Sequence, residues 1–220
     1  MKSDGRKPLL LIDIDGPLNP YAAKATRRPA GYETHRVPMN GDRPAGSPDD
    51  LMTAAARRLT LRVWLNPAHG AMLLSLADVF ELHWATDWED AANRIVAPLI
   101  GLPELPVIHW GDYPLVNNRL AVLPPYEETL TALASERRRS VETLHWKTRP
   151  IAGYIAALGD DNCGDAGRAF VWMDDEMTDA DRHHLGRVPA LGPHLLHRID
   201  PVVGMLDADI ALMRDWAEAL

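Results

Sequence analysis

The feature that most constrains this chain is an apolar run, Leu9–Ile12, which is followed at once by Asp13-Ile14-Asp15-Gly16. An uninterrupted apolar run of this length is typical of a strand buried on both faces, as in a parallel sheet. Gly16 and the prolines after it end the strand. The sequence therefore predicts two carboxylates at the carboxyl end of a buried strand, which is where open α/β sheets bind their ligands.

Asp13 and Asp15 are two residues apart, so in an extended chain their side chains point the same way. Two like charges held close together are costly unless a cation or a shared proton relieves them. Mg²⁺ suits such a pair, because it prefers oxygen ligands and needs only a few of them from the protein. The alternative is that both residues only form a turn after a core strand, where Asp and Gly are common.

The rest of the chain alternates strand patterns with helix patterns, which predicts a mainly parallel sheet with helices on both faces. The strand patterns lie at 80–86, 105–110, 169–173 and 193–199. The helix patterns lie at 67–77, 88–100, 127–138, 148–158 with Thr148 as its cap, 178–185 with Thr178 as its cap, and 205–220. A chain of 220 residues is expected to form one domain, so the predicted fold is a single Rossmann-like α/β domain over residues 1–220.

Residues 17–65 are predicted to be an insertion after the first strand. Apolar and polar residues alternate weakly at 32–37 and more clearly at 59–65, and the two segments predict a hairpin over the end of that strand. The segment between them, 38–50, is predicted to be a loop that gates the site. The insertion is too short and too irregular for a large cap domain.

Four chemically useful segments are expected to meet at one edge of the sheet. Asp13 and Asp15 follow the first strand, Thr86 ends the second, and Asp174-Asp175 follows a third. Lys147 opens a helix between the second and third, and it is the only lysine after Lys24. Because a parallel sheet brings the carboxyl ends of its strands to one edge, these residues are predicted to lie together. Each has a plain alternative: Thr86 as a strand-end cap, Lys147 as a solvated residue, and the acidic pair as a turn.

Composition excludes several classes of protein. A net charge of −8 argues against a general nucleic-acid binder, although it leaves room for a local basic patch. The single cysteine excludes an intrachain disulfide and a cysteine-rich metal site. There is no apolar run of membrane length and no pattern of a signal peptide, so we expect a cytoplasmic protein without a membrane partner.

The four segments, taken in order, resemble the motifs of the haloacid dehalogenase superfamily, and in particular its phosphatase-type members. That family has Asp-x-Asp-Gly after an apolar strand, then a Thr or Ser, a Lys at a helix start, and an acidic pair. Here these are residues 13–16, Thr86, Lys147 and Asp174-Asp175, separated by 73, 61 and 27 residues. Residues 15–20 and 84–93 are also similar to actinobacterial members and to the phosphatase-like domain of RNA-repair proteins.

The resemblance implies a Mg²⁺-dependent phosphohydrolase with defined roles for these residues. Asp13 would attack phosphorus and Asp15 would act as general acid and then base. Thr86 would hydrogen-bond the phosphoryl group, and Lys147 would offset the charge on Asp13 and on the phosphoryl oxygens. Asp13, the Asp15 backbone carbonyl, Asp174 and Asp175 would hold or orient the metal shell. The implied partner is a phosphorylated substrate, either a small molecule or a nucleic-acid end.

Two other functions stay open. A polynucleotide end phosphatase would need a basic track near the site, for which the insertion offers Arg27, Arg28, Arg36 and Arg43. A non-catalytic binding or regulatory protein on the same fold is the other, although decayed sites usually lose their acids. Trp84 and Trp88 flank Thr86 and are candidates for lining a pocket, whereas His183-His184 is interpreted as a solvated pair on a helix surface.

Overall fold

A four-stranded parallel sheet forms the centre of the protein, with its strands in the spatial order 81–84, 9–12, 170–174 and 194–198. This computed structural model describes residues 6–38, 60–112, 144–158 and 167–220, together with 115–116 and 119–120. The strands are β1 (Leu9–Ile12), β2 (Glu33–Pro38), β3 (Thr60–Leu65), β4 (Glu81–Trp84), β5 (Leu115–Val116), β6 (Arg119–Leu120), β7 (Phe170–Asp174) and β8 (His194–Arg198). The α-helices are α1 (Ala68–Leu74), α2 (Ala97–Ile100), α3 (Thr148–Ala157), α4 (Asp179–Leu185) and α5 (Asp207–Glu218). A π-helical turn, Ala92–Val96, precedes α2, and 3₁₀ turns cover Ala25–Arg27 and Trp110–Asp112.

Burial on both faces of β1 explains its unbroken apolar sequence, because all four of its residues are inaccessible to solvent. Leu9 and Leu11 belong to a core that includes apolar residues of α3 and α4. Leu10 and Ile12 belong to a second core, which includes residues of α1, α2 and α5. The prediction of an α/β fold with a parallel sheet and helices on both faces is therefore confirmed.

The predicted hairpin in the insertion is confirmed as β2 and β3, which pair antiparallel. Val37, Val63 and Leu65 join the core on one face of the hairpin, and Trp64 is buried on the other face with Tyr32. Leu61 alternates in sequence with Val63 and Leu65 and so shares their face of β3, but it is 39% exposed. Because β3 runs past the edge of the core at its start, the apolar alternation there overstates burial.

Two local predictions need correction, and two others lie outside the described residues. The strand predicted at 105–110 is reduced to one isolated bridge between Val107 and Trp84. Thr148 is not the cap of α3, because Lys147 takes the cap position and the Thr148 hydroxyl donates to Asp181 instead. The predicted loop at 38–50, apart from residue 38, and the predicted helix at 127–138 lie outside the described residues, as does Arg43. Among the described residues, no helix has the length and apolar character needed to cross a membrane.

Candidate functional site

The site lies where the chain changes direction across the sheet. From β1 the chain adds β4 on one side, and later adds β7 and β8 on the other. The carboxyl ends of β1 and β7 therefore border the crevice where open α/β sheets bind ligands. Asp13 directly follows β1 and Asp174 ends β7, so both acids face this crevice with side chains that are almost fully buried.

Lys147 joins the two strand ends. Its Nζ lies 2.9 Å from Oδ2 of Asp13 and 2.9 Å from Oδ2 of Asp174. The lysine itself is 4% exposed, so this is a buried ion pair with two carboxylates. Burial acts to lower the pKa of Lys147, but the charges of Asp13 and Asp174 outweigh it and raise that pKa above its ordinary value. The ammonium is therefore charged at neutral pH.

A third carboxylate, that of Asp175, lies beside the two that pair with Lys147. Asp13, Asp174 and Asp175 each offer an oxygen, and these oxygens lie within 4.8 Å of one another. Burial raises the pKa of Asp13, and Asp174 raises it further, against the opposing effects of Lys147 and of a hydrogen bond from Thr86. Burial likewise raises the pKa of Asp175, with Asp174 and Glu176 adding to it. The cluster is short of positive charge, which a bound divalent cation would supply.

Asp175 is held by a tyrosine that the sequence reasoning missed. Tyr21 donates its hydroxyl to Oδ2 of Asp175 at 2.8 Å, and burial together with this bond raises the pKa of Tyr21, so it stays protonated. Gly16 lies against the same carboxylate, with φ +91° and room for no side chain, because a Cβ there would be 2.4 Å from Asp175. The turn after β1 therefore fits closely around the acid that follows β7.

Asp15 lies beside the acid cluster with its side chain engaged elsewhere. Its Oδ1 accepts from Asn19 Nδ2 at 2.6 Å, and its Oδ2 accepts from Trp88 Nε1 at 2.9 Å. Asn19 uses its other end to accept a bond from the backbone N–H of Trp64 in β3, at 3.0 Å. Each Asp15 oxygen keeps a second lone pair, so the carboxylate can still take up or give a proton.

Thr86 and its neighbouring tryptophans differ from expectation in part. Thr86 is buried and acts to lower the pKa of Asp13, as expected of a residue that faces the strand-end acids. Trp88 contacts Asp15, in line with a place at the site. The prediction that Trp84 lines the pocket is wrong, because this residue is fully buried in the core and donates its indole N–H to Asn93.

A cleft of about 430 Å³ opens over these groups, a size within the range of ligand sites. Its inner wall has Asp13, Asp15, Lys147 and Asp175, and its outer wall has the exposed side chains of Tyr21, Leu61, Arg62 and Trp146. Trp146 places its ring 5.7 Å from the Lys147 ammonium. The cleft thus joins a charged interior to a partly aromatic mouth.

The structure brings together every residue that the sequence singled out for chemistry: Asp13, Asp15, Thr86, Lys147, Asp174 and Asp175. The side chain of Asp15 is not part of the three-acid cluster. Tyr21 and Asn19 were missed, although both stand in the turn directly after the first motif, and that position was the available signal. The interpretation of His183-His184 as a solvated pair is half wrong, because His184 is buried.

No family model, curated protein or solved structure matches this chain. The function of the site therefore has to be inferred from its own residues.

Proposed function

We propose that this protein is a Mg²⁺-dependent phosphohydrolase that cleaves a phosphate monoester through an aspartyl-phosphate on Asp13. This is the chemistry of the phosphatase-type haloacid dehalogenases that its motifs resemble. The observation that carries the proposal is the ammonium of Lys147, 2.9 Å from both Asp13 and Asp174 at the crevice between β1 and β7. A nucleophilic carboxylate needs a nearby cation while an anionic phosphoryl group approaches, and this arrangement supplies one.

The residues present fit Mg²⁺. The donors are oxygens of Asp13, Asp174 and Asp175, which are the ligand type that this ion prefers. Three carboxylates and one ammonium leave the cluster with excess negative charge, so a divalent cation is favoured there. When bound, Mg²⁺ would offset charge on the phosphoryl oxygens and orient the group for in-line attack.

In the first step, an oxygen of Asp13 forms a bond to phosphorus while the bond from phosphorus to the leaving oxygen breaks. Asp15 gives its proton to that leaving oxygen. In the second step, Asp15 takes a proton from water, and the water oxygen attacks the phosphorus on Asp13. Inorganic phosphate leaves, Asp13 is a carboxylate again, and Asp15 has its proton back. Lys147 and Thr86 hold Asp13 in place through both steps.

The test separates the two acids. Asp13→Asn removes the attacking oxygen's charge, so neither turnover nor a covalent intermediate is expected. Asp15→Asn keeps the nucleophile and loses a general acid–base group, which contributes roughly 10²–10⁴-fold to rate. With an activated aryl phosphate, whose leaving group needs little protonation, this variant should accumulate phosphate on Asp13, detected by rapid quench and mass spectrometry.

The matched control is Asp179→Asn, the same change at an acid on α4 whose side chain is 95% exposed. It should leave Mg²⁺-dependent turnover within about twofold of the wild type, as is usual for exposed sites. Full activity in EDTA, or phosphate trapped on a residue other than Asp13, contradicts the proposal. Absence of turnover over a broad panel of phosphate esters favours the binding or regulatory alternative.

A second candidate, a phosphatase of polynucleotide ends, is favoured by one specific observation. Arg36 and Arg62 lie directly opposite each other in β2 and β3, so their side chains share one face of the hairpin. Trp64 lies on the same face with the Arg62 guanidinium 5.0 Å from its ring, and Arg28 donates to Thr34 there. Like charges paired across a hairpin are destabilising unless an anion joins them.

We call this side of the hairpin, with Arg28, Arg36 and Arg62, the arginine face. The net charge of the segments that form it differs from that of the whole chain. Residues 16–38 and 60–65 hold five basic residues and one acidic residue, Glu33, in a chain of net charge −8. The basic residues are Lys24, Arg27, Arg28, Arg36 and Arg62. Arg62 also lines the cleft, so the face leads into the candidate active site.

Two substrates decide between a small ester and a strand end. If the arginine face holds a nucleic-acid backbone, kcat/KM for an end-phosphorylated oligonucleotide should fall steeply with salt, and Arg62→Gln should lower it. The same variant should leave kcat/KM for a small aryl phosphate nearly unchanged. Equal effects on both substrates, or no salt dependence, exclude the polynucleotide candidate and keep the small ester.

A further inference from the structure

Asp181 is a fully buried carboxylate that the proposed reaction does not use. Four hydrogen bonds converge on it, two on each oxygen. Oδ1 accepts from the backbone N–H of His145 at 2.8 Å and from the Thr148 hydroxyl at 2.6 Å. Oδ2 accepts from the backbone N–H of Thr178 at 2.7 Å and from its hydroxyl at 2.9 Å. A buried carboxylate requires such partners, and here they come from two separate parts of the chain.

The two oxygens serve different elements. Oδ2 closes a capping box at the start of α4, where Thr178 is the N-cap and Asp181 the third helical residue. A capping box needs no more than this. Oδ1 instead binds the segment 145–148, which leads into α3 and lies 33 to 36 residues earlier in the chain. The second half of the interaction therefore has a role other than starting α4.

The segment bound by Oδ1 carries Lys147. His145 and Thr148 lie on either side of this lysine, so Asp181 fixes the backbone from which the ammonium extends. A lysine side chain has four rotatable bonds, and its placement between two carboxylates depends on a fixed origin. The imidazole of His145 adds a further link, because its Nε2 lies 2.9 Å from Oε2 of Glu176.

Glu176 closes the arrangement back to the acid cluster. Its backbone N–H donates to Oδ1 of Asp174 at 2.9 Å, while its side chain meets His145. The lysine-bearing segment and the loop after β7 are thus joined at several points around Asp181. Because these two segments are held together, the Lys147 ammonium lies at a fixed distance from Asp174.

We propose that Asp181 is a positioning residue, whose Oδ1 holds segment 145–148 so that the Lys147 ammonium lies between Asp13 and Asp174. The inference rests on the proposed function only where it concerns rate. The placement of the ammonium is a property of the folded protein and can be measured without a substrate.

The experiment compares two isosteric changes, each of which removes one hydroxyl that donates to the Asp181 carboxylate. Thr148→Val removes a bond to Oδ1, and Thr178→Val removes a bond to Oδ2. Both should lower the free energy of unfolding by a similar amount. Thr148→Val alone should lower kcat, by roughly ten- to a hundredfold, because a small misplacement of a charged group carries such a cost. Thr148→Ser keeps the hydroxyl and should restore kcat.

The placement itself is measured by ¹H–¹⁵N NMR of the lysine ammonium groups, with the Lys147 signal assigned by its loss in Lys147→Met. Thr148→Val should shift or broaden that signal, and Thr178→Val should leave it in place. If Thr148→Val does not fold, Thr148→Cys, which keeps a weak donor, takes its place.

The outcomes separate the inference from the function. An active wild type with equal kcat losses in the two valine variants, or with no loss in either, overturns the positioning role. A wild type that hydrolyses no ester overturns the proposed function, and the NMR comparison then decides on Asp181 alone. An ammonium signal that responds equally to both variants, or to neither, overturns the inference.

Discussion

Replacing Lys147 by methionine tests whether this ammonium offsets buried negative charge. Its Nζ lies 2.9 Å from two carboxylate oxygens, and each such contact has a gross attraction of roughly 6 kcal/mol at an effective dielectric constant of about 20. Desolvation cancels much of this, and removing one partner of a buried pair typically costs about 3–5 kcal/mol. Because this lysine serves two carboxylates, we expect a loss near the upper end. That is a large part of the stability of a typical domain, about 5–15 kcal/mol.

Urea denaturation followed by circular dichroism, in EDTA and in excess Mg²⁺, measures the loss. In EDTA, Lys147→Met should be far less stable than the wild type. Adding Asp13→Asn should recover part of the loss, with a coupling energy of about 1 kcal/mol or more. Mg²⁺ should stabilise the methionine variant more than the wild type, because a cluster without its ammonium gains more from a cation.

Lys24→Met is the matched control, since Lys24 is exposed and its loss should change stability by about 0.5 kcal/mol or less. A loss below about 1 kcal/mol for Lys147→Met in EDTA would refute the reasoning. So would a zero coupling energy with Asp13→Asn. Either result would mean that Lys147 does not offset the charge of a buried Asp13 in the folded protein.

Two further changes test features around the site. Gly16→Ala should displace Asp175 and lower both the free energy of unfolding and the Mg²⁺ affinity. Gly101→Ala, at φ +78° with nothing within 4 Å of its Cβ, should lose only the backbone cost of about 1–2 kcal/mol. Equal losses of stability in the two variants would contradict this. His69 is buried with Nε2 3.2 Å from the Met205 carbonyl, and burial lowers its pKa to about 4. In the unfolded chain the His69 imidazole takes up a proton near pH 6.5, whereas in the folded protein it stays neutral until about pH 4. The contribution of His69 to the free energy of unfolding is therefore full above about pH 6.5 and should fall by about 2 kcal/mol by about pH 5. His69→Gln should flatten that pH dependence, and an unchanged slope would show that His69 is not its source.

The elements that could be predicted are those whose sequence pattern is set by burial within the element itself. β1 and β7 are buried along their whole length, so their apolar runs are unbroken and their ends are marked by acids. Because parallel strands align their carboxyl ends, the meeting of Asp13, Lys147 and Asp174 followed from the order of the motifs. β2 and β3 were likewise visible as alternating segments.

The parts that could not be predicted depend on contacts between distant segments. Tyr21 meets Asp175 across 154 residues, and Trp88 meets Asp15 across 73. Thr178 was predicted as the cap of α4, but Asp181 also binds the segment before α3 through Oδ1, and no local pattern connects the two. His184 follows an exposed histidine on a short helix, and its burial comes from how α4 packs against the sheet.

Asn19 gives the hairpin and Asp15 a common mechanical support. A single planar amide holds the Asp15 carboxylate through Nδ2 and the backbone of β3 through Oδ1. Because the amide is rigid, a displacement of β3 either breaks one of these bonds or rotates the carboxylate. Under the proposed function, a ligand that binds Arg62 and moves β3 would therefore also move the Asp15 carboxylate, which is the proposed acid–base group.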